Sequence, residues 1–204
     1  HYLVFVSPAS IPMLRDGTAG SLRYAFAAFT MQKDNVIFRD SLGFNVSNGR
    51  TRHHGVEYEL DWSVLPTLSL AVAGTVAKHT YDFSRSIDGG ETVVAGRDID
   101  TAPRQVRNAR LAWRPVEQAS VELQWQHVGR YWTDAANARP YSGHDVLDLH
   151  AAWRRSPALK LAARLDNLTD RAYADRADYA FSTYRYFPGR PRTLFLELAY
   201  TQPR

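Results

Sequence analysis

The chain has 204 residues, with 25 Lys and Arg against 21 Asp and Glu, and the basic residues are dispersed among the acids, so nucleic-acid binding is not expected. It has no cysteine, which excludes disulfides, thiolate metal sites and a cysteine nucleophile. No run of eighteen apolar residues occurs, so a transmembrane helix is excluded, and the apolar content comes as short alternating segments.

In chain order, residues 1–20 are the poorest part: a segment to be read as a diverged strand or a boundary. Tyr2 to Val6 suits a strand but is apolar on both faces, and Pro8 and Pro12 interrupt the residues after it. The start, His1-Tyr2-Leu3-Val4-Phe5-Val6, lacks a charged leader and a cleavage site. From Ser21 the grammar is cleaner. Leu22, Tyr24, Phe26, Ala28 and Thr30 share one face, and Val56, Tyr58, Leu60 and Trp62 alternate with Glu57, Glu59 and Asp61. Three acids on one face must meet water or Arg/Lys rather than an apolar core.

Leu68, Leu70, Val72, Gly74 and Val76 mark the next strand, expected from Thr67 to about Phe83, with Asp88-Gly89-Gly90 as a turn in the loop beyond it. Returning strands come at Ala109, Leu111 and Trp113, and at Val121, Leu123 and Trp125. Two more carry Leu147, Leu149, Ala151 and Trp153, then Leu159, Leu161, Ala163 and Leu165. In the last, Leu194, Leu196, Leu198 and Tyr200 form a wholly apolar face. About eight strands come after Gly20. Short connections near 17–20, 63–66, 115–118 and 155–157 alternate with long ones near 39–44, 84–103, 133–144 and 169–190. Short turns at one end and long loops at the other are the pattern of outer-membrane barrels, and five Trp, eleven Tyr and nine Phe suit their aromatic girdles. A soluble β-sandwich shares the many short strands but not the long loops.

Two motifs carry a family resemblance. Asn167-Leu168-Thr169-Asp170-Arg171-Ala172-Tyr173, then Tyr184-Arg185-Tyr186-Phe187-Pro188-Gly189-Arg190-Pro191-Arg192 and a terminal amphipathic strand, resemble the C-terminus of TonB-dependent outer-membrane receptors. Asn45 to Arg52 and then Gly55-Val56-Glu57-Tyr58-Glu59-Leu60 are similar to another strand of that family. The resemblance implies an all-β, antiparallel transmembrane barrel. Residues 21–204 would be its C-terminal part, about eight strands of a barrel of about 22. It also implies a bacterial outer-membrane location, non-enzymatic import of a scarce bulky nutrient such as a ferric siderophore, and energy from TonB acting on a plug domain absent from these residues.

On this reading an open sheet would leave two edges in lipid, so these residues are not expected to be the whole functional unit, and a leader is expected before His1. Asn167, Asp170, Tyr173, Pro188, Gly189 and Arg190 match the family's architectural pattern, with Gly189 permitting a turn. Leu194, Leu196, Leu198 and Tyr200 resemble the strand read by the barrel assembly machinery, although four more residues come after Tyr200. The alternative is a self-contained eight-stranded barrel with a structural, adhesive or hydrolytic role.

No catalytic, cofactor or metal residues are expected. His53 and His54 are adjacent, so on a strand they point to opposite faces and do not chelate one metal together. Among His144, Asp145, Asp148 and His150, the pair Asp148 and His150 shares a face and reads as lumen-facing polarity. No Gly-x-Ser-x-Gly elbow and no phosphate loop occurs. The ligand-binding candidates are Arg171, Arg176, Tyr179, Tyr184 and Arg185 on the last long loop, where Arg and Tyr can grip an anionic, aromatic chelate.

Overall fold

The computed structural model describes residues 13–19, 21–39, 44–86 and 92–202. The expected strand at Tyr2 to Val6 and the turn at Asp88-Gly89-Gly90 lie outside them.

Thirteen strands form among the described residues: β1 (Met13–Ala19), β2 (Leu22–Arg39), β3 (Asn45–Leu65), β4 (Leu68–Tyr81), β5 (Gln105–Val116), β6 (Ala119–Val128), β7 (Tyr131–Trp132), β8 (Pro140–Tyr141), β9 (His144–Ser156), β10 (Leu159–Asp166), β11 (Ala174–Ala180), β12 (Thr183–Pro188) and β13 (Thr193–Tyr200). Nine of them make one antiparallel sheet in the order β1-β2-β3-β4-β5-β6-β9-β10-β13, a meander in which each strand pairs with the next. β7–β8 and β11–β12 are separate hairpins inside the long connections. The strand β1 is a difference from the sequence reading, which placed a short connection at 17–20. Met-Leu-Arg-Asp-Gly-Thr-Ala has no apolar alternation, and its pairing with β2, from Met13 opposite Ala28 to Ala19 opposite Leu22, defines it.

The register aligns the apolar positions into a continuous belt. One cross-strand row runs Ala19, Leu22, Trp62, Leu70, Leu111, Leu123, Leu149, Leu165 and Leu194, an apolar residue on every strand of the sheet. The adjacent row reads Leu68, Trp113, Val121, Ala151, Ala163 and Leu196. Because side chains alternate with a period of two, the residues between these rows point to the opposite face. There Arg23 lies 3.6 Å from Asp61, Arg110 3.9 Å from Glu122 and Lys160 3.7 Å from Glu197. Glu57 stands between Ala27 and Thr75, and Glu59 between Ala25 and Ala73, small neighbours that leave both carboxylates open to water.

β3 has 21 residues; at roughly 3.3 Å per residue it is on the order of 70 Å long, well beyond an apolar band about 25 Å tall even when tilted. The sheet therefore projects past a band of that height at the end carrying the long loops. Among the described residues β1 and β13 do not pair, so the sheet does not close. In a nine-strand antiparallel meander the first and last strands run the same way, so antiparallel closure onto each other is not available. Among the described residues the sheet is thus an open one of nine strands, not the closed eight-stranded barrel of the alternative reading. The terminal apolar face is fully presented outward, with Leu196 76% exposed.

The two-faced sheet predicts an asymmetry. Leu123→Arg, on the apolar belt, should cost about 2–4 kcal/mol in folding into lipid vesicles, whereas Gln124→Arg on the other face should cost under about 1 kcal/mol. Urea unfolding of the two variants in bilayers measures the difference, and equal costs would contradict the assignment of faces.

Candidate ligand-binding site

The long connections at one end of the sheet bind one another into a single polar superstructure. Tyr131 on β7 is buried, accepts from the Ala177 amide at 2.8 Å and donates to the Ala177 carbonyl at 3.2 Å. Burial pushes the Tyr131 hydroxyl above its ordinary pKa, which keeps it a donor. Tyr141 repeats the arrangement on the Ala174 amide and carbonyl, both at 3.1 Å. The loop carrying β7–β8 thereby docks the β11–β12 hairpin by side chains that substitute for a missing strand partner.

Asp134, fully buried, organises the tip of that same loop. Its carboxylate accepts from the Arg139 amide at 2.9 Å, the Ala138 amide at 3.1 Å and Arg139 Nη1 at 2.8 Å. Asn137, with φ of 52°, exchanges two 2.8 Å hydrogen bonds with the backbone of Asp98 and so ties in the connection after β4. In that connection Tyr81 donates to Asp100, whose carboxyl is raised above the usual carboxylate range by burial, an effect this hydrogen bond opposes.

The base of the last loop is built on Asn167, which is 1% exposed with φ of 50°. Its Nδ2 donates to the carbonyls of Arg171 (2.9 Å) and Arg190 (3.0 Å), while Oδ1 accepts from the Arg171 amide at 2.8 Å. One side chain thus holds both ends of the loop together. Asp170, with φ of 53°, lies 3.5 Å from Arg192 and accepts from its amide. Arg190 reaches Asp166 at 3.7 Å, and Pro188 closes the β11–β12 hairpin opposite Ala174. Gly189 meets the Tyr173 ring, which would have to shift to admit a side chain. It has no left-handed φ; instead a Cβ there would lie 2.2 Å from the ring of Tyr173.

The five ligand-binding candidates divide. Arg176 and Arg185 both face Asp178, which is 4% exposed, at 2.8 and 2.6 Å, so their charge is engaged within the hairpin. Arg171 is exposed and is positioned through its backbone by Asn167. Tyr179 and Tyr184 join two residues that the sequence did not single out as ligand contacts. The Arg139 guanidinium lies 3.9 Å over the Tyr179 ring, Tyr179 meets Tyr184 edge-on at 5.4 Å, and Tyr184 stacks on Tyr186 at 5.9 Å with an 11° interplanar angle. Arg139, Tyr179, Tyr184 and Tyr186 therefore form a cation–aromatic ladder, with Tyr184 and Tyr186 well exposed. Arg139 escaped notice because only the fold brings it to the hairpin.

Below the ladder, on the polar face, a recess of about 310 Å³ is lined by Gln124, Asp148, His150, Arg164, Tyr173 and Arg190. Asp148 is directed at the Asn167 amide (2.7 Å), and Asp145 lies on the opposite face with Trp125 and His127 (2.9 and 2.8 Å). The structure therefore does not bring His144, Asp145, Asp148 and His150 together, and among the described residues no group of three or more His, Cys, Asp or Glu is placed to hold a metal.

Two variants test this construction. Gly189→Ala should destabilise the last loop by about 1–3 kcal/mol through its clash with Tyr173, read as faster proteolysis within 174–190. The β11–β12 turn holds Phe181 and Ser182 at φ of 53° and 61°, a geometry that favours Asn-Gly. Phe181→Asn combined with Ser182→Gly should slow amide exchange across the hairpin, in keeping with roughly 1–2 kcal/mol of relieved strain.

Residues 14–168 match the family described as TonB dependent receptor-like, beta-barrel. No curated protein matches the chain in sequence. Solved structures with the same fold include the ferric yersiniabactin uptake receptor FyuA from Yersinia pestis, with a TM-score of 0.73 and 18% identity over 91% of this chain and 28% of that one. The ferric citrate transporter FecA gives 0.72 and 18% over 91% and 30%, and the copper transporter OprC gives 0.68 and 16% over 91% and 30%. The chain spans less than a third of the length of these structures. In a barrel of that family the apolar belt faces outer-membrane lipid and the polar face lines the lumen. The chain belongs to the TonB-dependent receptor β-barrel family.

Proposed function

We propose that residues 21–204 form the C-terminal part of a receptor barrel that binds a ferric siderophore or a similar anionic, aromatic iron chelate at its extracellular loops. Import would be driven by TonB acting through a plug domain carried elsewhere in the protein, and Leu194, Leu196, Leu198 and Tyr200 would present the strand read by the barrel assembly machinery. The observation that carries the ligand reading is the Arg139–Tyr179–Tyr184–Tyr186 ladder. Stacked, exposed tyrosines on a hairpin anchored by Tyr131, Tyr141 and Asn167 offer π faces at low ordering cost. Arg139, ion-paired with Asp134, holds the Tyr179 ring in place, and the exposed Arg171 supplies positive charge for an anionic chelate. Arg176 and Arg185 act on this reading through the hairpin's rigidity rather than by ligand contact.

The experiment is fluorescence titration of the receptor, purified from outer membranes in detergent, with ferric catecholate and ferric hydroxamate chelates. Tyr184→Ala and Tyr186→Ala should each weaken catecholate binding by about 2–10-fold, the equivalent of about 0.5–1.5 kcal/mol for one aromatic contact. Binding that is indifferent to both substitutions, or absent for every iron chelate, would contradict the proposal.

A further inference from the structure

We propose that His53 and His79 form a copper(II) site on the lumenal wall of the barrel, independent of the loop ladder. His53 lies on the lumenal face of β3, in step with Glu57, Glu59 and Asp61 along the same strand. The adjacent His54 is its opposite-face neighbour, so the pair visible in sequence is no chelate. The pairing of β3 with β4 supplies the partner instead, because His53 stands directly opposite His79. Their Nδ1 atoms are 2.9 Å apart, with ring centroids at 5.1 Å. Two imidazole nitrogens bound at about 2.0–2.1 Å with a right angle between them are separated by about 2.8–3.0 Å, whereas a tetrahedral angle requires about 3.3–3.4 Å. Without a metal the Nδ1 contact is a hydrogen bond between the two rings, and it already holds both nitrogens near the spacing of adjacent tetragonal positions. Cu(II), which favours that geometry, ranks highest among the divalent first-row metals for such donors.

Ligation at both Nδ1 atoms places each ring's proton on Nε2, a tautomer change with no net proton lost. The protonated His53 Nε2 then donates to Thr51 Oγ1, 2.8 Å away, and this bond fixes the ring as an outer-shell partner does at metal sites. The remaining coordination positions open into a recess of about 600 Å³ lined also by Met31, Lys33, Glu57 and Ile99. Met31, opposite His53 on β2, adds a soft thioether to that wall, and Glu57 adds negative charge. Lys33 opposes a cation, so it sets an upper limit on affinity rather than contributing to it.

The test uses the detergent-purified receptor, titrated with Cu(II) alone and followed by electron paramagnetic resonance and pulsed hyperfine spectroscopy. A single bound Cu(II) with two coupled imidazole nitrogens is expected. His53→Gln and His79→Gln should each weaken binding by about tenfold or more, while His54→Gln leaves it unchanged and Lys33→Gln tightens it. A spectrum of the unsubstituted protein without two imidazoles, or titrations in which His79→Gln binds as the parent does, would overturn the proposal whether or not the variants fold equally well. Iron-chelate binding at the ladder is read separately by fluorescence, so failure of one reading does not decide the other.

Discussion

Hydrocarbon offers no hydrogen bonds, so every backbone amide and carbonyl within it must be satisfied by the protein itself. The rest of the structure depends on that constraint. The ladder from β1 to β13 satisfies the groups between its two edges, and the extended backbone that makes the ladder fixes a side-chain period of two. Apolar residues then fall on one face and charged residues on the other without further instruction. The row from Ala19 to Leu194 stays apolar across nine strands because a slip of one residue anywhere would turn a whole strand inside out. The loop end obeys the same constraint by other means. Where no neighbouring strand is available, Tyr131, Tyr141, Asp134 and Asn167 take up backbone groups with their side chains.

That division of labour explains why the loop superstructure is polar at its core. Its buried residues include Thr133, Asp134, Asn167 and Asp178, and each is matched by a backbone group or an arginine. Unmatched, such groups would cost more than an apolar replacement. Matched, they fix loop positions that a small apolar cluster of Tyr131, Ala174 and Ala177 could not fix alone. Rigidity at the base leaves the exposed tyrosines of the hairpin pre-positioned, which is what a surface needs if it is to bind without first ordering itself.

The sheet was largely legible in the sequence because alternation is a local signal. Val56, Tyr58, Leu60 and Trp62 against Glu57, Glu59 and Asp61 reveal both the strand and its faces. β1 was not legible, since Arg15-Asp16-Gly17 breaks the pattern and only the pairing to β2 defines it. The β11–β12 hairpin was hidden for a related reason: Phe181-Ser182 is not a turn signature, and its left-handed backbone is enforced by the contacts on either side. The candidate site was legible only in part. Tyr179 and Tyr184 stand out by composition, but Arg139 lies forty residues away in sequence and reaches them through the fold. His79 as the partner of His53 is likewise a matter of register. The closeness of Gly189 to the Tyr173 ring was not legible, because proximity across a fold is not written in local sequence.

The central claim is that one face of this sheet meets lipid and the other water. Nitroxide labels placed singly at Leu123, Leu149, Gln124 and Asp148 in the receptor reconstituted into vesicles test it most directly, through collisions with dissolved oxygen and with a water-soluble chromium complex. Labels at 123 and 149 should collide with oxygen and be shielded from chromium, and those at 124 and 148 should show the reverse. Labels that respond alike on both faces would contradict the account.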